Sequence, residues 1–378
     1  MSTLGTENLT RSEAMLRRAH HVLTFILHLY VHSMPPLPPC SEIHIPQSLS
    51  IPLLQVCGIL ELPPILTYSD NVLYNWDFSP PEMVLSSSRD PTHRHIQTTF
   101  TGTPDEEHFY LTSLRIELAG VPALSLLKSM TEDASGGDLL SLRRLSEHLV
   151  KLANIMDAMT AILNDVRRSC NPTVFYEQIR PWFRGQSSRP WIFEGTRSAG
   201  LTQPSELAGP SAGQSSLIHV LDIFLGVDQF SHSHVAGGII PRPPLSAHGP
   251  EKDSPFLERI QSYMPRDHRA FLNHLKTNPR PLRDIVMAED AAISTEELRV
   301  RETLRNAYNA AVIALKGFRD AHVRIATLYI INQVKRVPGG QREDKEVPVA
   351  RGTGGSDLVP FLKGVRDKTA AAILPPRF

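Results

Sequence analysis

The chain has 378 residues, and its 39 Lys and Arg balance 39 Asp and Glu, which excludes a protein that gathers nucleic acid or an anionic membrane through its overall field. Its three cysteines, Cys40, Cys57 and Cys170, are far apart and form no CxxC pair. That excludes a disulfide framework or structural zinc site and points to a reducing compartment.

A helix is predicted over residues 12–33, ended by Pro35, Pro36, Pro38 and Pro39. Its apolar run from Val22 to Val31 is too short to span a bilayer and is interrupted by His28. Met34-Pro-Pro follows in place of a small-residue cleavage site, so the helix is expected to be buried and not to be a leader. Apolar pieces follow from Ile51 to Leu60 and from Ile65 to Trp76, divided by Pro63-Pro64. From Asp77 to Glu107 the chain is polar and rich in Pro, Ser and Thr, with a short strand expected at Ile96 to Thr101. A domain boundary is placed here, with a small N-terminal domain and linker over 1–104 and a larger one over 105–378.

Phe109 to Met130 is expected to be helical and broken at Pro122. Asp138 then caps a long helix in which Leu142, Leu145, Leu149, Leu152, Met156, Met159 and Leu163 recur at three- and four-residue steps. Such a stripe is a core seam in preference to a methionine ligand box. Asn171-Pro172 ends it, and Phe175 to Phe183 forms a short aromatic helix carrying Arg180. At 209–227 the stretch GPSAGQSSLIHVLDIFLGV leads from a small-residue turn into an apolar helix with one acid, Asp222. Ser211, Ala212 and Gly213 let a flat group approach their backbone, or they are an ordinary serine-capped helix start. Residues 228–254 are expected to be a surface loop with His232 and His234 solvated. Helices are expected at Phe256 to Met264, after Pro265, and around Leu282 to Met287.

The run from Ser294 to Lys335 contains no proline and would be roughly 60 Å long as a helix. Ser294 with Glu297 three residues on is a capping box. Leu304, Ala307, Tyr308, Ala311, Leu315, Phe318, His322, Ile325, Ala326 and Tyr329 share its inner face. An inward imidazole is either a core histidine bonded to a carbonyl or carboxylate, which spacing alone favours, or a ligand to a metal or haem. Arg319, one turn earlier, brings a charge that also needs a partner. Residues 338–355 are expected to form a mobile loop closing on a GTGG turn. No nucleotide-binding fingerprint, HExxH or nucleophile elbow occurs, and strands are too scarce for a parallel sheet.

Six segments together, PPILTYSDNVLYNW, FYLTSLRIELAG, GPSAGQSS with LDIFLGV, YMPRDHRAFL, AYNAAVIAL with FRDAHVRIATLYI, and GTGGSDLVPFLKGVRD, resemble the indoleamine 2,3-dioxygenase family of tryptophan-catabolising haem enzymes. The likeness runs from about residue 12 to the C-terminus. It implies an all-α fold in which a smaller N-terminal domain covers a large helical domain holding haem b. It also implies a cytoplasmic monomer with no membrane or nucleic-acid partner, using ferrous haem and O₂ to open the indole ring of L-tryptophan or a related indoleamine into N-formylkynurenine. By that resemblance His322 matches the proximal iron ligand, and Arg319 with Asp222 a charge pair beside it. Ser211, Ala212 and Gly213 match the distal haem contact. Tyr68, Val72, Phe109 and Ser113 match the indole pocket, with Phe175 and Arg180 at its mouth. Arg180 would clamp the substrate carboxylate and Thr353 close over it. The haem would supply the chemistry and the protein positioning and a dry pocket, with Ser113 tuning polarity and no protein acid or base. The chain departs from the family pattern at Pro210, Asn71 and Phe183, and it starts late relative to the family's small domain. A haem-binding sensor of weak turnover is the alternative the resemblance leaves.

Overall fold

The computed structural model describes residues 5–35, 38, 41–78, 94–186, 189–229, 256–278, 281–288, 294–336, 352–353 and 358–375. Of the described residues, 71% are helical and 4% lie in strands. The elements are α1 (Glu13–His32), β1 (Ile43–Ile45), α2 (Gln47–Leu60), β2 (Trp76–Phe78), β3 (Arg94–Ile96), α3 (Pro104–Ala134), α4 (Leu139–Ser169) and α5 (Pro172–Val174). They continue with β4 (Trp191–Phe193), α6 (Ser216–Phe224), α7 (Phe256–Gln261), α8 (Arg266–Thr277), α9 (Pro281–Met287), α10 (Thr295–Ala326), α11 (Asn332–Arg336) and α12 (Leu358–Ala371). The expected loop at 228–254 lies outside the described residues from 230 on. So does the expected mobile loop, except for Gly352 and Thr353.

The long helix starts where its capping signal predicts, with the Ser294 hydroxyl accepting from the Glu297 amide at 3.2 Å. It packs on α4 along one side and on α12 along another. Leu142, Leu145, Leu149, Leu152 and Met156 interdigitate with Leu304, Tyr308, Ala311 and Leu315, all almost fully buried. Further along, Met159 and Leu163 meet Ala321. The methionines are core, as the three- and four-residue steps predict.

α3 differs from the sequence expectation in two ways. Pro122 does not break α3, which runs on to Ala134 with that proline inside it. An interior proline removes one backbone donor and kinks a helix, but packing over 31 residues carries α3 through. α3 also begins earlier than expected. Thr103 caps the Glu106 amide, Pro104 takes the first turn, and Asp105, Glu106 and Glu107 sit at the positive end of the helix.

The strands are minor. β1 pairs with β4 in parallel, Ile43 opposite Trp191 and Ile45 opposite Phe193, and β2 pairs with β3 antiparallel. The parallel pair is three residues long and holds the entry of α2 against residues 191–193, so it forms no layer of its own. A second core joins α1 and α2 to Trp191, Phe193, Leu207, Ile260 and Tyr263, and thus draws on both sides of residue 105.

Two glycines are required by close approach. A Cβ on Gly209 would lie 1.9 Å from the Phe183 carbonyl oxygen, and one on Gly185 2.2 Å from that of Leu207, so the segments around 184 and 208 run against each other with no space for a methyl group. Gly209→Ala is expected to cost about 3 kcal/mol, since backbone and not a flexible side chain must yield. Urea unfolding of the variant beside wild type measures it.

Candidate active site

Three turns of π-helix interrupt the α-helical pattern, at Ser69–Leu73, Phe175–Ile179 and Thr327–Ile331. In each, the amide five residues on bonds back to the first carbonyl: Tyr74 to Ser69, Arg180 to Phe175, and Asn332 to Thr327. Such widened turns accompany functional sites. All three open on one cavity, to which they give Asn71 and Val72, Phe175, and Tyr329 and Ile330 respectively.

The empty space along that cavity, its open mouth included, is about 1020 Å³. Its wall brings together Tyr68, Val72, Phe109, Ser113, Phe175, Arg180, Ser211, Ala212, Gly213, His322 and Thr353. Of the expected site residues, only Arg319 and Asp222 stand back from it, and they form a buried pair. Arg319 Nη2 donates to both Asp222 carboxylate oxygens at 2.7 and 2.6 Å, while Nη1 donates to the Thr369 hydroxyl. Arg319 thereby ties α10 to α6 and α12 one turn before His322. This answers the question of its partner.

Packed rings line part of the cavity. Phe109 lies 4.7 Å from Phe175 and 6.2 Å from Phe183, and Phe175 meets Tyr329 edge-on at 5.6 Å. Arg180 sits over the Tyr176 ring at 5.6 Å, and burial disfavours its charge. The Ser113 hydroxyl donates to its own helix, at the Phe109 carbonyl 3.3 Å away.

His322 makes no hydrogen bond through either ring nitrogen among the described residues. Burial, and then the Arg319 charge, lower its pKa, which favours the neutral ring, and that ring borders the cavity. Among the described residues no three His, Cys, Asp or Glu side chains cluster as a protein-built metal site would require. The donor set therefore fits a metal that arrives with its own ligands and needs one imidazole, as haem iron does. The small side chains at 211–213 in the same wall suit a flat macrocycle.

A second set of residues, not singled out from the sequence, fixes this wall. Glu117 Oε1 accepts from the Tyr68 hydroxyl at 3.0 Å and the Ser215 hydroxyl at 2.6 Å, and burial raises its carboxyl above the ordinary range. Gln214 accepts from the Tyr68 amide at 2.7 Å and donates to the Gly209 carbonyl at 3.1 Å. Thr353 closes the chain of contacts: its carbonyl accepts from the Gly209 amide at 3.1 Å and its hydroxyl donates to the Pro210 carbonyl at 2.7 Å. The sequence signal for Glu117 was its face of α3, since Glu106, Tyr110, Ser113 and Glu117 recur at three- and four-residue steps.

Histidines of α1 hold the loops from the other side. His28 donates to the Trp182 carbonyl at 2.7 Å and accepts from the Leu66 amide at 3.3 Å, bridging the segments that carry Tyr68 and Arg180. Burial pushes its pKa down to about 3, so it stays neutral. His20 differs, because both its nitrogens face acceptors: Asp70 Oδ1 at 2.8 Å and the Pro63 carbonyl at 3.2 Å. Only an imidazolium donates twice. Burial lowers the His20 pKa, but the Asp70 charge, the hydrogen bond to Asp70 and the neighbouring Cys57 together outweigh it and the net shift is well upward, whereas Asp70 moves down despite its burial.

The pH dependence follows in sign. The raised His20 value gives stability that is complete below the unfolded pKa of about 6.5 and lost as pH rises through the folded one. The lowered Asp70 value gives stability that is complete above about 4 and lost as pH falls through its folded value. His20→Ala is thus expected to cost roughly 3 kcal/mol or more between about pH 4.5 and 6, and less as the pH rises further. Chemical denaturation of both proteins from pH 4.5 to 9 reads this; a penalty that grows with pH would contradict the imidazolium.

The model of the indoleamine 2,3-dioxygenase family matches residues 1–372. The chain belongs to the indoleamine 2,3-dioxygenase family. It is 30% identical over 379 residues to indoleamine 2,3-dioxygenase 1 of Rattus norvegicus, covering 99% of this chain and 83% of that one. It is 31% identical to indoleamine 2,3-dioxygenase of Saccharomyces cerevisiae, over 94% of this chain and 78% of the yeast protein. It is 28% identical to 6-hydroxytryptophan 2,3-dioxygenase of Fusarium equiseti, over 94% and 81%. The indoleamine 2,3-dioxygenase family is a family of haem-dependent oxidoreductases that use O₂, with a helical haem domain. No helix among the described residues is long and apolar enough to cross a membrane.

Proposed function

We propose that this chain is a haem dioxygenase that adds O₂ across the indole C2=C3 bond of L-tryptophan, or a closely related indoleamine, to give N-formylkynurenine. The observation that carries this reading is the meeting, in one cavity, of a neutral His322 ring that no group among the described residues bonds, a small-residue turn and Arg180. His322 would hold the iron, with Arg319 and Asp222 steadying its helix, and Ser211, Ala212 and Gly213 would lie against the porphyrin. When bound, the haem supplies activation of O₂. The chain's own residues do the rest. Phe109, Phe175, Tyr68 and Val72 pack on the indole and keep water out, and Ser113 adds a polar contact beside it. Arg180 pairs with the substrate carboxylate, and Thr353 holds the 352–353 segment against Pro210 over the pocket.

In this reading 1–104 is a smaller domain over a haem domain at 105–378, and the protein works as a cytoplasmic monomer. Asn71 and Phe183 in the wall favour a second reading, a haem-binding sensor with weak turnover, because they alter the substrate side and leave His322 as it is. A haem titration followed by reduction and addition of tryptophan decides. The dioxygenase gives a Soret band that tryptophan perturbs and ring-opened product; a Soret band without product leaves the sensor.

A further inference from the structure

Three buried histidines of α1 are bonded in two different ways, and the difference falls on the turn that carries one edge of the cavity. His21 is complete as a neutral ring: Nδ1 donates to the Asp70 carbonyl and Nε2 accepts from the Thr98 hydroxyl, each at 3.0 Å. His28 is complete in the same way. His20, 1% exposed, instead faces an acceptor at each nitrogen. As a neutral ring it must turn a lone pair on either the Pro63 carbonyl or the Asp70 carboxylate, which burial makes costly.

Asp70 in turn holds the start of the π turn at 69–73. Its Oδ2 accepts from the Thr67 amide at 2.9 Å and the Thr67 hydroxyl at 2.7 Å, and its Oδ1 from His20 at 2.8 Å, so one carboxylate is shared between α1 and residue 67. Tyr68 and Val72, on either side of Asp70, line the cavity. The other ionisable groups around His20 are engaged elsewhere or carry no positive charge. Arg17 of α1 and Arg266 of α8 both bond Glu13, at 2.5 and 3.3 Å, and Arg17 also lies 3.9 Å from Asp267. Tyr74 borders the same groove beside the ring, and α2 brings the Cys57 thiol. His20 is thus the cation that Asp70 bonds among the described residues.

We propose that the His20 imidazolium is a positioning residue for the substrate side of the cavity, so that losing its proton slackens the π turn and weakens binding of the indole substrate, which deepens the reading above and rests on it. The sign follows from the bonds. His20 titrates well above the ordinary value of about 6.5, so binding is full in mild acid and falls as the pH rises through the folded value. A bond that served only to hold the fold would leave the affinity of the folded protein independent of this proton.

The test follows tryptophan binding to the haem-loaded protein, by its perturbation of the Soret band, from about pH 6 to about 9.5 in wild type, His20→Gln and His20→Arg. Titration of the substrate ammonium and of the haem is common to all three, so the ratio of affinities isolates His20. Wild type is expected to bind about tenfold tighter than His20→Gln at the acid end and equally at the alkaline end, a coupling of ordinary size. His20→Arg, whose charge does not titrate, is expected to keep the advantage throughout. Amide exchange of the haem-free proteins over 69–75, with α4 as internal reference, reads the turn itself: protection there falls with pH in wild type and is low at every pH in His20→Gln, while α4 stays protected and certifies the fold. A ratio of wild type to His20→Gln that does not change with pH overturns the proposal, and this comparison stands even if His20→Arg does not fold. No tryptophan binding by any of the proteins rejects the dioxygenase reading, and the exchange profile then decides on His20: equal protection at 69–75 in wild type and His20→Gln across the range overturns its role.

Discussion

His322→Ala is expected to abolish the Soret band of the haem-titrated protein and with it all indole-opening turnover, while leaving the fold unharmed. The two halves of that result have separate causes. Among the described residues no other histidine lines the cavity and no ligand cluster stands ready to replace it, so the iron loses its protein bond. The loss should exceed the 10- to 100-fold that removal of a mere outer partner of a metal ligand produces. Among the described residues the ring bonds no protein group, however, so its deletion breaks no hydrogen bond among them, and the haem-free variant should unfold within about 1 kcal/mol of haem-free wild type. Absorbance titration and urea unfolding read the two quantities separately. An unchanged Soret band would show that a different side chain holds the iron.

Asp222→Ala is expected to have the opposite signature, a large loss of stability whether haem is present or not. Arg319 is 7% exposed and Asp222 9%, and the guanidinium would be left buried with one hydroxyl in place of a carboxylate. Breaking one partner of a buried pair typically costs about 3–5 kcal/mol, because the remaining charge is uncompensated. Replacing both, as Asp222→Leu with Arg319→Met, should recover much of that loss, since two apolar side chains of similar volume need no counter-charge. A double-mutant cycle by urea unfolding tests both statements. If Asp222→Ala cost less than about 1 kcal/mol, the pair would not be what holds α10 to α6 and α12.

The long helix and its histidine were legible because both depend on local rules. Ser294 announces its start, and the steps from Leu304 to Tyr329 give its inner face whatever packs there. The role of His322 was not legible from spacing, because a core histidine and an iron ligand have the same neighbours along the chain. The structure adds that neither ring nitrogen is bonded among the described residues, and that depends on elements far away in sequence. The start of α3 was available in Thr103-Pro104-Asp105 and was hidden only by the polar stretch before it. Pro122 misled because proline propensity is a local penalty, and the contacts of α3 with α4 exceed it. His20 and Asp70 are 50 residues apart, and Glu117 and Ser215 98 apart. Pairings of that range are set by the assembled fold, and no periodicity encodes them.

The three π turns also bear on how this cavity is encoded. Each holds one residue more than a regular α turn would, so the pocket's outline depends on chain length as well as on side-chain identity. Deleting a single residue at 327–331 would let the helix close to its tighter hydrogen bonds, and would turn everything after it by about 100° relative to what precedes it. Leu358, Phe361 and Leu362 would then meet a differently phased neighbour, although no side chain of the wall had been replaced. A one-residue deletion is therefore a larger edit to this pocket than most substitutions within it.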